Sequence, residues 1–209
     1  MTRHWTRPTR ITWWAVGVAV VLTAGTAAYL ASVYPSLPRG VPVQYVLDRP
    51  YIFERKSPVM VMLPVLVQLG LLATFGSIML LLLWRAKPAS AGLSTSRDTD
   101  LARMGLAAEG IALIAAVWIA VQALGAVRLM VLWRGTWGGF GTVYSLAMVA
   151  AIVTSIVVMA RTIRLVGRHR NYAGAENPKV WRLLLAVTLV MGVGGPWILA
   201  RYILHGYTL

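Results

Sequence analysis

Five runs, at 11–33, 58–84, 104–127, 141–160 and 181–203, hold about twenty or more predominantly apolar residues each. That is the length a helix needs to cross the hydrocarbon core of a bilayer, roughly 20 residues. Inside hydrocarbon no water satisfies a backbone amide or carbonyl, so each run must close its hydrogen bonds within itself as a helix. Composition agrees, with 58% of the chain hydrophobic and 12% charged, against about a quarter charged in a soluble domain. The sequence therefore specifies an all-α integral membrane protein, a single domain over 1–209 with five transmembrane helices.

The net charge of +14 would point to nucleic acid in a soluble protein. In a membrane protein it has another cause, the enrichment of Lys and Arg in cytoplasmic loops. Placing the N-terminus inside puts thirteen of the twenty basic residues on the inner side. These are Arg3, Arg7, Arg10, Arg85, Lys87, Arg97, Arg103, Arg161, Arg164, Arg168, Arg170, Lys179 and Arg182. The expected topology is N-terminus in and C-terminus out, with no nucleic-acid partner. The basic start and apolar run look superficially like a signal peptide. However, the 11–33 run is too long for a typical signal core and no clear small-x-small site follows it, so it reads as an uncleaved first span.

Between the first two runs lies the most individual part of the chain. Residues 34–64 read YPSLPRGVPVQYVLDRPYIFERKSPVMVMLP and contain six of the ten prolines and two of the six acids. Proline fixes φ and has no amide donor, so Pro35, Pro38, Pro42 and Pro50 exclude a regular helix over 34–57. Residues 41–45 alternate apolar and polar, as an extended segment does. Asp48, Arg49 and Pro50 read as a turn, and Ser57 before Pro58 as a helix start. Pro64 falls inside the second run, where it is expected to kink the helix. The prolines restrict the unfolded backbone, and Tyr34, Tyr45, Tyr51 and Phe53 supply apolar faces, so the passage is expected to form a compact outer cap. Its candidate partner-binding residues are Tyr34, Pro38, Pro42, Gln44, Tyr45, Asp48, Glu54 and Lys56.

In order along the chain, Tyr34, Pro35, Leu37, Pro38, Val41, Pro42, Tyr45, Pro50, Lys56, Leu63 and Pro64 resemble the N-terminal module of the SdpI-like toxin-immunity membrane proteins. Gln44 stands where that pattern has His, Arg49 where it has Gly, and Tyr51 where it has Asp. The resemblance covers about the first 85 residues. It implies a multi-pass protein of a bacterial cytoplasmic membrane. It also implies a role in protecting a producing cell from its own secreted peptide toxin, with a signal passed to a cytoplasmic repressor.

Elsewhere the sequence offers few groups that could do chemistry. Glu109 is the one acid within an apolar run, and an intramembrane ionisable residue is a functional-site candidate by default. Its other reading is a carboxylate paired or snorkelling near Arg103. Arg128 stands toward the outer end of the same run; nineteen residues of helix separate the two by roughly 28 Å, too far to pair. His4, His169 and His205 are scattered over three polar segments, and the chain has no cysteine. No metal, no cofactor and no enzyme activity are expected. Residues 89–102 read as a polar connection in which Asp100 caps the third helix. Arg161, Arg164, Arg168 and Arg170 form a basic stripe suited either to anionic lipid or to an acidic cytoplasmic partner. The functional expectation is an immunity or sensing protein whose outer loop meets a peptide toxin or another protein. The alternative is a structural or accessory subunit of a larger membrane complex.

Overall fold

The computed structural model describes residues 8–46, 49–84, 94–135 and 140–168. Within them the chain forms α1 (Arg10–Val33), a 3-10 turn (Tyr34–Ser36), β1 (Gly40–Val46), β2 (Arg49–Arg55), α2 (Pro58–Trp84), α3 (Ser94–Trp133) and α4 (Phe140–Arg168). Each of the four α-helices is long and apolar enough to cross a membrane. The chain is thus a mostly helical, multi-pass membrane protein. The expected fifth span at 181–203 lies outside the described residues.

Helix α3 is the centre of the bundle and packs against α1, α2 and α4. Near one end, Leu30, Val33 and Leu37 share a core with Val61, Val65, Ala126, Met130 and Trp133. Further along, Ala19 meets Leu71, Phe75, Ile114, Ala115, Trp118 and Ile119, with Met148 and Ile152 of α4 against them. Small residues let these helices approach, which matters because lipid gives apolar side chains no hydrophobic reason to leave it. The closest approach is Gly110 to Thr162. A methyl group at Gly110 would meet the Thr162 hydroxyl, with Thr162 Cβ 3.2 Å away. Four turns further on, one at Gly125 would stand 3.1 Å from the Tyr144 ring. The apolar faces turned away from α3, among them Val18 and Val21 of α1, Leu66 and Leu80 of α2, and Leu146 and Val157 of α4, are exposed as lipid-facing surfaces are.

Two sequence expectations change here. The segment read as a polar connection with an Asp100 cap is helical from Ser94 onward. Propagating a helix is easy once it is nucleated, and residues 94–103 contain no glycine or proline to stop it. Helix α3 consequently runs ten residues, about 15 Å, beyond its apolar part, which starts at Met104. The second change concerns the proline-rich passage. It is not only an irregular loop, because most of it pairs as an antiparallel hairpin of β1 and β2, so the helical fold carries one small sheet.

The hairpin accommodates Pro42 through the phase of its ladder. The Lys56 amide donates to the Arg39 carbonyl at 2.9 Å, making those two a hydrogen-bonded pair. Antiparallel ladders alternate, so Val41 opposite Glu54 is the next such pair. Gly40 opposite Arg55, and Pro42 opposite Phe53, then turn their backbone groups away from the partner strand. Pro42 thus sits where no ladder donor is missed. Irregularities follow on either side of Gln44, as bulges do where a strand must twist.

Candidate functional site

Helix α1 connects two polar clusters. Twenty-four residues at about 1.5 Å each make it roughly 36 Å long. Its own first turn has no acid and its last turn no base, yet a helix concentrates partial positive charge at its N-terminus and negative charge at its C-terminus. Other parts of the chain bring the complementary charge to each end.

At the N-terminal end, Thr9 caps the helix, its Oγ1 accepting from the Thr12 amide at 3.1 Å. The same hydroxyl donates to Glu109 Oε2 of α3 at 2.8 Å. That donation uses its one proton, so the Thr12 hydroxyl, 2.9 Å away, is the donor between the two threonines. Glu109 is 6% exposed, and its other oxygen lies 4.0 Å from Arg161 Nη2 on α4. One carboxylate thereby joins the start of α1, the middle helix and α4. Arg161 is itself exposed, so it pairs with Glu109 from the rim of the cluster.

At the C-terminal end the cation is Lys56, from the two-residue link between β2 and α2. Its Nζ donates to the carbonyls of Leu37 at 2.7 Å and Tyr34 at 3.1 Å. It also stands 5.0 Å from the centre of the Tyr34 ring, within cation–π range. Helix α3 completes the anchorage. The Trp133 indole donates to the Pro42 carbonyl at 3.0 Å, the carbonyl that the ladder phase turns outward. Arg134 donates to Ser36 Oγ at 3.0 Å. Val41 and Leu37 are buried beneath these contacts. Ser57 starts α2 by accepting from the Met60 amide at 3.2 Å.

Between the ends, Gln68 of α2 is fully buried. Its Nε2 donates to Thr26 Oγ1 and to the Ile119 carbonyl, both at 3.3 Å. The Ile119 carbonyl can only accept, which sets the orientation of the amide. Gln68 Oε1, Gln122 Nε2 and Ser155 Oγ are buried with no hydrogen-bond partner among the described residues. Arg128 stacks over the Tyr144 ring, 5.1 Å from its centre, and so takes part in the α3–α4 seam.

The residues singled out in the sequence therefore divide. Tyr34, Pro42 and Lys56 meet at the hairpin base, Glu54 and Pro38 are exposed beside it, and Glu109 and Arg128 meet α4 at separate points, through Arg161 and Tyr144. The strand positions of Gln44 and Tyr45 are set by the ladder. Asp48 and Arg170 lie outside the described residues, whereas Arg161, Arg164 and Arg168 belong to α4. The sequence reading missed Thr9, Thr26, Trp133, Arg134 and Thr162. Thr9 had a readable signal, a threonine just before an apolar run; the others act through contacts distant in sequence, which no local pattern marks.

No family model, no curated protein and no solved structure matches this chain.

Proposed function

We propose that this protein holds its β1–β2 hairpin as a fixed recognition element at the outer face of a bacterial cytoplasmic membrane. Its role there is immunity or sensing directed at a peptide. The observation that carries this reading is the anchorage of the hairpin base. Trp133, Arg134 and Lys56 fix a segment that a link between two helices would not require. Loops that carry function are characteristically held on a rigid scaffold. The basic residues favour placing the Glu109 end inside and the hairpin outside. The resemblance of residues 34–64 to toxin-immunity proteins supplies the class of partner.

The test uses cells that produce either the natural chain or a variant with residues 40–55 replaced by a Gly/Ser linker of equal length. Both are challenged with a panel of membrane-active peptides, and membrane insertion is matched by an epitope tag. The natural chain is expected to raise tolerance to at least one peptide and the linker variant to give none. Unchanged sensitivity with the natural chain, or equal protection by the linker variant, would overturn the reading.

A further inference from the structure

The hairpin has two outer edges, and the structure treats them differently. On the β1 edge, Pro42 has no amide to offer and its carbonyl is taken by Trp133. At Pro42 an incoming strand finds neither donor nor acceptor, which leaves only the groups of Gly40, at the strand's first residue, turned outward on this edge. On the β2 edge, the ladder phase turns the amides and carbonyls of Phe53 and Arg55 outward. Among the described residues the sheet ends at β2, with nothing paired beyond it. Phe53 is 59% exposed, and Glu54 and Arg55 beside it are exposed.

An open edge strand is a template for another strand, and soluble proteins normally blunt such edges. Here the β1 edge is interrupted at Pro42, whereas the β2 edge keeps both of its outward positions, Phe53 and Arg55. The surroundings also carry a sign, because the exposed charges described at this end are Arg39, Arg55 and Arg134 against Glu54. From these observations we infer that β2 binds an extended, acidic peptide segment as a third strand, through the backbone groups of Phe53 and Arg55. Backbone pairing supplies the affinity and the arginines select the charge, as in other cases of strand addition. The inference rests on the reading of the hairpin as a recognition element and names its mode.

The probe is a fluorescent ten-residue peptide of alternating Val and Glu, titrated against the full chain in lipid nanodiscs. Its comparators are a Val–Lys peptide and a Val–Glu peptide with every amide N-methylated. The Val–Glu probe is expected to bind and both comparators to fail. The substitution Phe53→Pro removes an outward amide without breaking the β1–β2 ladder, just as Pro42 opposite it does. It should weaken binding about tenfold, while Phe53→Ala should weaken it less. Absence of Val–Glu binding, equal binding of the N-methylated peptide, or indifference to Phe53→Pro would each overturn strand addition. These failures are distinguishable from failure of the functional reading. Loss of protection in cells with probe binding intact removes the immunity role. Protection without edge-dependent binding removes the mode alone.

Discussion

Substituting leucine for Gly110 is expected to separate α4 from α3 and to destabilise the bundle by about 3 kcal/mol, the upper end of the usual range for overpacking. At this crossing even a methyl group collides with the Thr162 hydroxyl, and Thr162 Cβ leaves it only 3.2 Å. The hydroxyl is held in place by donation to the Val158 carbonyl at 2.8 Å, so the side chain cannot swing aside freely. In lipid the loss is severe, because close packing of small residues is most of what joins two apolar helices. Separation here also draws Arg161 away from Glu109. Unfolding in a detergent series measures the effect. Gly125→Ala is a graded comparison: its methyl group would meet the edge of the Tyr144 ring, a longer side chain that can turn. The gain in helix propensity over glycine, up to about 1 kcal/mol, offsets part of that cost. Combining Gly110→Ala with Thr162→Gly should recover most of what Gly110→Ala loses. If Gly110→Leu leaves the unfolding midpoint unchanged, the α3–α4 crossing is not as described.

Replacing Lys56 by methionine is expected to release the hairpin base while leaving the helices in place. The ammonium group satisfies the carbonyls of Tyr34 and Leu37, in and just after the 3-10 turn that follows α1, and hydrogen bonds to a charged group contribute about 1.5–3 kcal/mol. Methionine keeps the stem's length and apolar contacts but donates nothing, and the favourable charge at the helix C-terminus goes with it. Cleavage by trypsin after Arg39 and Arg55, which neither precede a proline nor change in the variant, reads out the opening. When opening is fast relative to cutting, the rate follows the population of the open form. The variant should be cut about tenfold to a hundredfold faster than the natural chain. Equal rates would mean that Lys56 does not hold the hairpin.

The four described spans were legible because an unbroken apolar run admits one solution in hydrocarbon. No partner need be known to see that 11–33 or 58–84 becomes a helix. The start of α3 was not legible, since Ser94, Asp98 and Asp100 look like loop residues until one knows that a helix is already running behind them. The prolines showed that 34–57 is not a helix and the alternation over 41–45 showed an extended segment, but neither showed its pairing with 49–55. A proline normally argues against a strand, and Pro42 is harmless only because its place in the ladder asks for no donor. Lys56 could be picked out from a motif, but its role as a base for the far end of α1 depends on a chain reversal. Glu109 stood out as the one acid in its run. That it meets Thr9, a hundred residues earlier, was beyond any local pattern.

Residue-resolved amide hydrogen exchange on the full chain in lipid nanodiscs tests the central claim most directly, that an anchored hairpin presents one open edge. The alternating ladder requires slow exchange at Val41, Glu54 and Lys56, whose amides point into the sheet, and fast exchange at Phe53 and Arg55, whose amides point out. Uniformly fast exchange across residues 40–56 would show an untethered loop and contradict the anchorage. Protection of Phe53 and Arg55 in the unliganded protein would show the edge already covered and contradict its openness.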